Sequence, residues 1–441
     1  MDRQMIAGVV VVAVLLTGSR WISYVPVGPL YISDVLMCAA FLRVACSRSD
    51  SPKRTGRTHG PGIQVGLLLL MTALHLLAVQ ADVRLAARDA APFAYAAITY
   101  FSASAYQRAS DHGRARTVQL LHGGLLLHFG WLAVATFVPE FAATMPQVSV
   151  NARMMGIRTD FDVAVLGVLA GMSIVRMRRG RVWLHATVAT AALVPAFALP
   201  SRAGILACCT CVLVAVLLRS GKGGRLNVRA VLAATAAILA LVAVLPITPG
   251  GQRLLATDGG SATAPREVVE GAVGTKRARF TAWNRVMTYT LDDPVRASIG
   301  VGFGTNFMAL SRADLPLRGR GEDKADGVRS PHNFLLTVLA RLGFAGLTVV
   351  AALIAALLVV VVQTVRSGPP DELTSLCVLL VLSIFIVALL GVVLESPFGA
   401  VPFFWAAGIL LAGHRSRRDG RRRESDEKIL PRTARVTAGV G

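Results

Sequence analysis

The sequence predicts an all-α, polytopic membrane protein with about 12 transmembrane helices and one large extracytoplasmic loop between spans 9 and 10. Three observations predict it. Of the 441 residues, 54% are hydrophobic and only 16% are charged, with a mean hydropathy of +0.59, far from the values of soluble domains. Apolar stretches long enough to cross a hydrocarbon core of roughly 30 Å recur along nearly the whole chain. Lys and Arg cluster on alternate sides of those stretches.

Taken in order, the expected spans are 4–18, 29–46, 63–80, 91–106, 117–138, 159–176, 182–199, 202–218, 229–247, 333–364, 372–394 and 398–413. Met5 to Thr17 has the length of a secretory signal, but Asp2 ahead of it and the lack of a small-x-small site after Gly18 favour an uncleaved first span. The tenth stretch is too long for one straight crossing. It is expected to divide into a lead helix ending near Leu342 and a membrane helix, with Gly343 and Gly346 at the joint.

Basic clusters at 43–57, 108–116, 176–181, 219–229 and 415–435 mark the cytoplasmic side. Both termini therefore face the cytoplasm and the long polar loop faces outward. The net charge of +21 is explained by this topology and by attraction to anionic lipid, so no nucleic-acid partner is expected. The resulting organisation is 1–247 for spans 1–9, 248–331 for the extracytoplasmic loop with short helices, 332–413 for spans 10–12, and 414–441 for a basic cytoplasmic tail expected to be disordered. No internal repeat is visible, which weighs against the inverted-repeat plan of many transporters.

The six cysteines, Cys38, Cys46, Cys208, Cys209, Cys211 and Cys377, lie in or beside spans and none lies in the outward loop. Cys208-Cys209-Thr210-Cys211 lacks the paired spacing and the neighbouring His of a zinc site, so it reads as small apolar helix packing. No metal and no cofactor is expected.

The loop has a Gly/Thr/Ala-rich first part, a helical middle from Lys276 to Leu291, and a Gly-turn to Arg-rich third part from Asp292 to Arg329. In the middle, Arg279, Trp283 and Val286 or Met287 recur at helical spacing and share one face. Trp283 on that face either anchors at headgroup depth or touches substrate, and the two are compatible. Gly300, Gly302 and Gly304 follow G-x-G-x-G rather than the dinucleotide spacing and lack a surrounding strand-helix-strand unit, so nucleotide binding is excluded. A tight turn and a ligand cradle both remain open for them.

Ser330-Pro331 reads as a helix start, with Ser330 as cap and His332 and Asn333 in the first turn, where backbone donors suit phosphate oxygens. His332 ordinarily titrates near neutral pH and can exchange a proton with a hydroxyl. Arg202, at the outer mouth of span 8, carries the planar fork that grips phosphate, with snorkelling to the interface as the plainer alternative. Arg285, Arg318, Arg320 and Arg329 are weaker candidates for which a solvated loop position is favoured.

These residues resemble a known family. Arg202-Ala203-Gly204-Ile205-Leu206 is similar to the R-x3-L element of the O-antigen ligase and polymerase superfamily. Arg279 through Trp283, Pro294 and Gly300-Val301-Gly302-Phe303-Gly304 resemble its R-x3-W…P…G-x-G-x-G segment, and His332-Asn333 followed by Gly343-Phe344-Ala345-Gly346 resembles its H-N-x9-G-x-x-G element. The resemblance runs from about Pro200 to Gly413, with Glu395-Ser396 before the last span.

The resemblance implies an inverting, metal-independent glycosyltransferase at the outer face of the bacterial cytoplasmic membrane, using an undecaprenyl-diphosphate-linked glycan as donor. It implies that Arg202 and Arg279 hold the diphosphate and that His332 activates or positions the acceptor hydroxyl, with Trp283, Asn333, Gly302, Gly304 and Arg285 expected near the substrate. The acceptor, whether glycan, lipid or protein, is left open. The rival class is a multi-pass solute or anion transporter. It would place ionisable residues near the bilayer midplane, whereas Asp34, Asp160 and Asp162 fall near span ends and charge concentrates in the outer loop.

Overall fold

The structure, a computed structural model, describes residues 3–27, 30–46, 62–79, 82–149, 152–177, 181–220, 266–317, 328–367 and 370–429, together with Ala243 and Thr248. It is mostly helical. Helix α1 (Arg3–Ser23) is broken at Ser19, whose φ is 50°, and leads through a small hairpin of β1 (Pro26–Val27) and β2 (Leu30–Tyr31) into α2 (Ile32–Cys46). Next come α3 (Gly62–Leu77), α4 (Val83–Ala94), α5 (Ile98–Arg108), α6 (Asp111–Phe137) and α7 (Pro139–Thr144). A second hairpin, β3 (Gln147–Ser149) with β4 (Ala152–Arg153), precedes α8 (Thr159–Arg176), α9 (Val182–Ala198) and α10 (Arg202–Ser220). The remaining helices are α11 (Arg266–Leu291), α12 (Pro294–Ile299), α13 (Phe307–Leu310), α14 (Phe334–Arg366), α15 (Glu372–Leu390) and α16 (Pro397–Ile429).

Among the described residues six helices are long and apolar enough to cross a membrane: α1, α6, α10, α14, α15 and α16. Helices α3 and α9 are shorter but also apolar. The expected span 229–247 lies, apart from Ala243, outside the described residues. The expected span 91–106 is not one helix. Pro92 sits near the end of α4 and supplies no backbone N–H, and a 3-10 turn over Tyr95–Ala97 separates α4 from α5. At the other end of the chain, α16 runs past the expected limit at 413 to Ile429.

Helix α8 forms the centre of the bundle, with every residue from Phe161 to Ser173 buried, and it packs chiefly on α10, α9 and α15. Small residues make this close approach possible. A Cβ at Gly167 would lie 2.5 Å from the Cα of Cys208, so the cysteine run of α10 is used as tight helix packing.

The long α14 breaks at Gly343, where φ is 62° and ψ is −165°, as its length and glycines predict. A break frees carbonyls, and here they find donors: the Val301 and Gly302 N–H groups donate to Ala340 and Arg341 at 2.8 and 3.0 Å. The approach is so close that a Cβ at Gly343 would sit 2.3 Å from the Ser298 carbonyl, and one at Gly300 would sit 2.2 Å from the Arg341 carbonyl carbon. Gly343→Ala is expected to lower stability by about 1–3 kcal/mol from the torsion alone, with the backbone clash adding to it. An unchanged thermal unfolding midpoint of the purified variant would contradict this account of the joint.

Candidate functional site

Four segments meet at one end of the bundle. The first is the start of α8. Arg158 precedes it and grips Asp160 with two bonds, Nε to Oδ1 at 2.8 Å and Nη2 to Oδ2 at 3.2 Å. Asp160 also accepts from the Phe161 N–H at 2.9 Å, an anion at a helix start. Two residues on, Asp162 is fully buried and accepts from the Arg158 N–H at 2.5 Å and the Ser19 hydroxyl at 2.6 Å. The break in α1 thus supplies the hydroxyl that steadies the α8 start.

The second segment is the start of α10, where the Ser201 hydroxyl oxygen accepts from the Gly204 N–H at 3.1 Å and Arg202 opens the helix. Gly204 lets it lie against α8: a Cβ there would meet Val163 at 2.7 Å and the Asp160 carbonyl at 2.9 Å. The start of α10 is thereby held against the start of α8. The third segment is α11, which starts ten residues ahead of the expected Lys276. Its Arg279 donates to the Leu390 carbonyl at 2.8 Å, and its Trp283 indole donates to the Pro331 carbonyl at 2.7 Å. These two bonds fasten the loop helix to the end of α15 and to the segment before α14.

That segment, 330–333, is the fourth, and it differs from the expected helix start. Asn333, not Ser330, is the cap: its side-chain oxygen accepts from the Leu336 N–H at 3.2 Å, so α14 begins at Phe334. Ser330 is drawn elsewhere, donating to Glu395 at 2.8 Å while its oxygen accepts from the His332 N–H at 3.2 Å. His332 consequently lies before the helix in the left-handed region, with φ at 57°. This is a torsion that non-glycine residues seldom adopt. Thr337 donates to the same Glu395 oxygen at 2.9 Å, and burial pushes the Glu395 carboxyl up to about 7.

Electrostatics joins the four segments. Burial, then the Arg279 and Arg158 guanidinium groups, lower His332 to about 4, with Asp160 opposing. Burial also lowers Arg279, Asp160 acts against it, and Arg158 and Arg202 lower it further. For Arg158 itself burial is outweighed by Asp160, which raises it. Arg20, in the last turn of α1, shares the field of Arg158 and Asp160. The site is a group of guanidinium ions around a neutral imidazole.

Gly302, Gly304 and Arg329 belong to a neighbouring network. Asp89 of α4 accepts from Arg329 at 2.7 Å, from Arg341 at 2.8 Å and from the Gly304 N–H at 3.2 Å. The Gly302 carbonyl accepts from Arg341 at 3.2 Å and the Gly304 carbonyl from Arg329 at 3.2 Å. Gly300, Gly302 and Gly304 all have positive φ, between 75° and 86°. Arg329 is accordingly not a solvated loop side chain, since only 9% of it is exposed. Arg285 donates to the Arg312 carbonyl at 2.6 Å on the outer side of α11, while Arg318 and Arg320 lie outside the described residues.

Sequence reading brought together Arg202, Arg279, Trp283, His332 and Asn333 but missed Arg158, Asp160 and Asp89. Arg158 and Asp160 stand two apart at a helix start, a pattern that is common in solvated turns, and only the fold shows that they face the site. A cavity of about 520 Å³ lined by Arg114, Arg176, His185 and Glu372 lies at the opposite end of α8 and is separate from this site.

A many-helix membrane protein with a cationic site gathered from a loop and several helix ends is the class defined here. Residues 186–351 match the family model of O-antigen ligase, a range that contains Arg202, Arg279, Trp283, His332 and Gly343. That match places this part of the chain in the O-antigen ligase and polymerase superfamily. No curated protein matches the chain in a sequence search.

Proposed function

We propose that the protein is a glycosyltransferase that moves a polyprenyl-diphosphate-linked glycan onto an acceptor hydroxyl at the outer face of the bacterial cytoplasmic membrane. The observation that carries this reading is the gathering of Arg158 and Arg279 about a partly buried, neutral His332, with Arg202 beside Arg279. Diphosphate is the leaving group. As the acceptor oxygen bonds to the anomeric carbon and the bond to the diphosphate breaks, charge builds on the departing oxygens, where guanidinium forks stabilise it most. The neutral imidazole takes the hydroxyl proton, so no base from solution is needed.

Asp160 orients Arg158 rather than binding substrate, because both its oxygens already hold that guanidinium. Trp283 and Asn333 set the loop helix and the His332 turn, and the glycine run lies behind them. In this reading the six long helices, with α2, α3, α8, α9, the broken α4–α5 stretch and the expected span 229–247, make up about 12 spans, with both termini cytoplasmic and residues 248–331 outside. Undecaprenyl-diphosphate glycan is the donor, and no metal or cofactor takes part.

The test uses the full chain in proteoliposomes with a synthetic undecaprenyl-diphosphate glycan. Arg279→Ala and Arg202→Ala are each expected to slow transfer by about 10²- to 10³-fold, the usual consequence of deleting one charge-stabilising donor. Full activity in both would sink the proposal. Product length then separates two subclasses: one transferred block identifies a ligase and a ladder identifies a polymerase.

A further inference from the structure

We propose that the elbow formed by α11 and α12 lies in the outer leaflet of the bilayer, with a stripe of apolar side chains immersed among the lipids. Neither helix is among those able to cross a membrane. Yet both expose large apolar groups. On α11 these are Phe280, Met287 and Leu291, at spacings of seven and four residues, and such spacings return to one face of a helix. On α12, Val295 and Ile299 are one turn apart and are 64% and 51% exposed.

The stripe has a defined side. Ala282, Val286 and Thr290 turn inward, and Arg285, on the far flank from Met287, is bonded to the α13 turn through the Arg312 carbonyl. Solvent-exposed apolar rows of this length are unusual in proteins unless something covers them.

The occupant follows from continuity with the bilayer surface. Helix α12 is pressed against the α14 joint, immediately beyond which Phe344 is exposed on a helix long enough to span. On its other side, His75 of α3 contacts the Ile299 carbonyl at 2.8 Å, and α3 exposes Leu70, Leu74 and Leu77. At Ile299 and at the α14 joint the stripe therefore adjoins apolar side chains exposed by two other helices, with Asn284 as the polar residue on its face. A glycan would need hydrogen-bond partners, which the apolar side chains lack. Trp283 and Arg296, the latter stacked 4.1 Å over Tyr289, lie beside the stripe as headgroup-depth residues do. Immersion of the elbow would fix the height of Arg279 relative to the headgroups.

The experiment places the photoreactive residue benzoylphenylalanine at Met287, Val295 or Ile299, and at Thr288 or Asp292 as exposed polar controls, in the full chain. Each variant is reconstituted into phosphatidylethanolamine and phosphatidylglycerol vesicles, irradiated and analysed by intact mass. Phospholipid adducts at the three stripe positions and none at the controls are expected. Adducts between copies of the chain at the stripe, no adduct there, or equal lipid adducts at the controls would each overturn the proposal. The readout does not depend on transfer activity, so it stands or fails apart from the catalytic reading.

Discussion

Replacing His332 with alanine is expected to slow glycan transfer by about 10²- to 10⁴-fold while leaving the thermal unfolding midpoint near that of the parent protein, because only proton transfer is lost. The pH profile makes the role specific. With His332 held at about 4 by burial and by Arg279 and Arg158, its imidazole is neutral throughout the physiological range. Protonation disables a base, so kcat/KM, which reports the free enzyme, should fall only as pH drops toward about 4. Bound diphosphate would oppose the surrounding guanidinium charge and make the imidazole more basic, so the acid limb of kcat should lie above that of kcat/KM. An acid limb of kcat/KM at the ordinary histidine value of 6.5 would show that burial and the neighbouring guanidinium groups do not hold His332 low, and persistence of the same limb in His332→Ala would remove the residue from this role. Linkage gives an independent check. The folded protein binds fewer protons at His332 than the unfolded chain does, so this residue makes stability rise with pH between about 4 and 6.5. His332→Ala should remove that part of the slope.

Asp89→Ala should destabilise the protein by about 3–5 kcal/mol, the range seen when one partner is removed from a buried ion pair. Two guanidinium groups depend on this carboxylate, Arg329 at 2.7 Å and Arg341 at 2.8 Å, with side chains only 9% and 3% exposed. Deleting it leaves two buried cations facing each other and releases the Gly304 N–H as well. Thermal unfolding of the purified protein measures the effect, and an unshifted midpoint would show that the network is not structural. Replacing Asp89, Arg329 and Arg341 together with apolar residues of similar volume should recover most of the loss, since the penalty comes from uncompensated charge.

What the sequence made visible depended on whether the cause was local. Apolar runs and basic flanks set the helices of the bundle, and Gly343 announced the joint in α14, because each is a property of neighbouring residues. The break between α4 and α5 escaped because the run around 91–106 carries no charged residue and Pro92 alone marks the change. His332 was put inside a helix, whereas it lies just before α14. Ser330 and Asn333 are both good caps, and the choice between them is made by Glu395, 65 residues beyond Ser330. The same holds for Arg329, whose carboxylate partner is 240 residues away. Pairings of that kind leave no periodic trace, so Asp89 and Arg158 could be found only in three dimensions.

The break at Gly343 also bears on how the protein tolerates membranes of different thickness. From Phe344 to Arg366 the part of α14 after the break has 23 residues, about 34 Å at 1.5 Å per residue, slightly more than a hydrocarbon core of roughly 30 Å. Such a helix relieves mismatch by tilting. The part before the break, Phe334 to Leu342, is tied to Glu395, Asp89 and the glycine turn, so it is anchored to the site instead of to the lipid. Because the helix is already broken at Gly343, a change in lipid composition is expected to be met by the inclination of the span, while the segment beside His332 stays tied to the site.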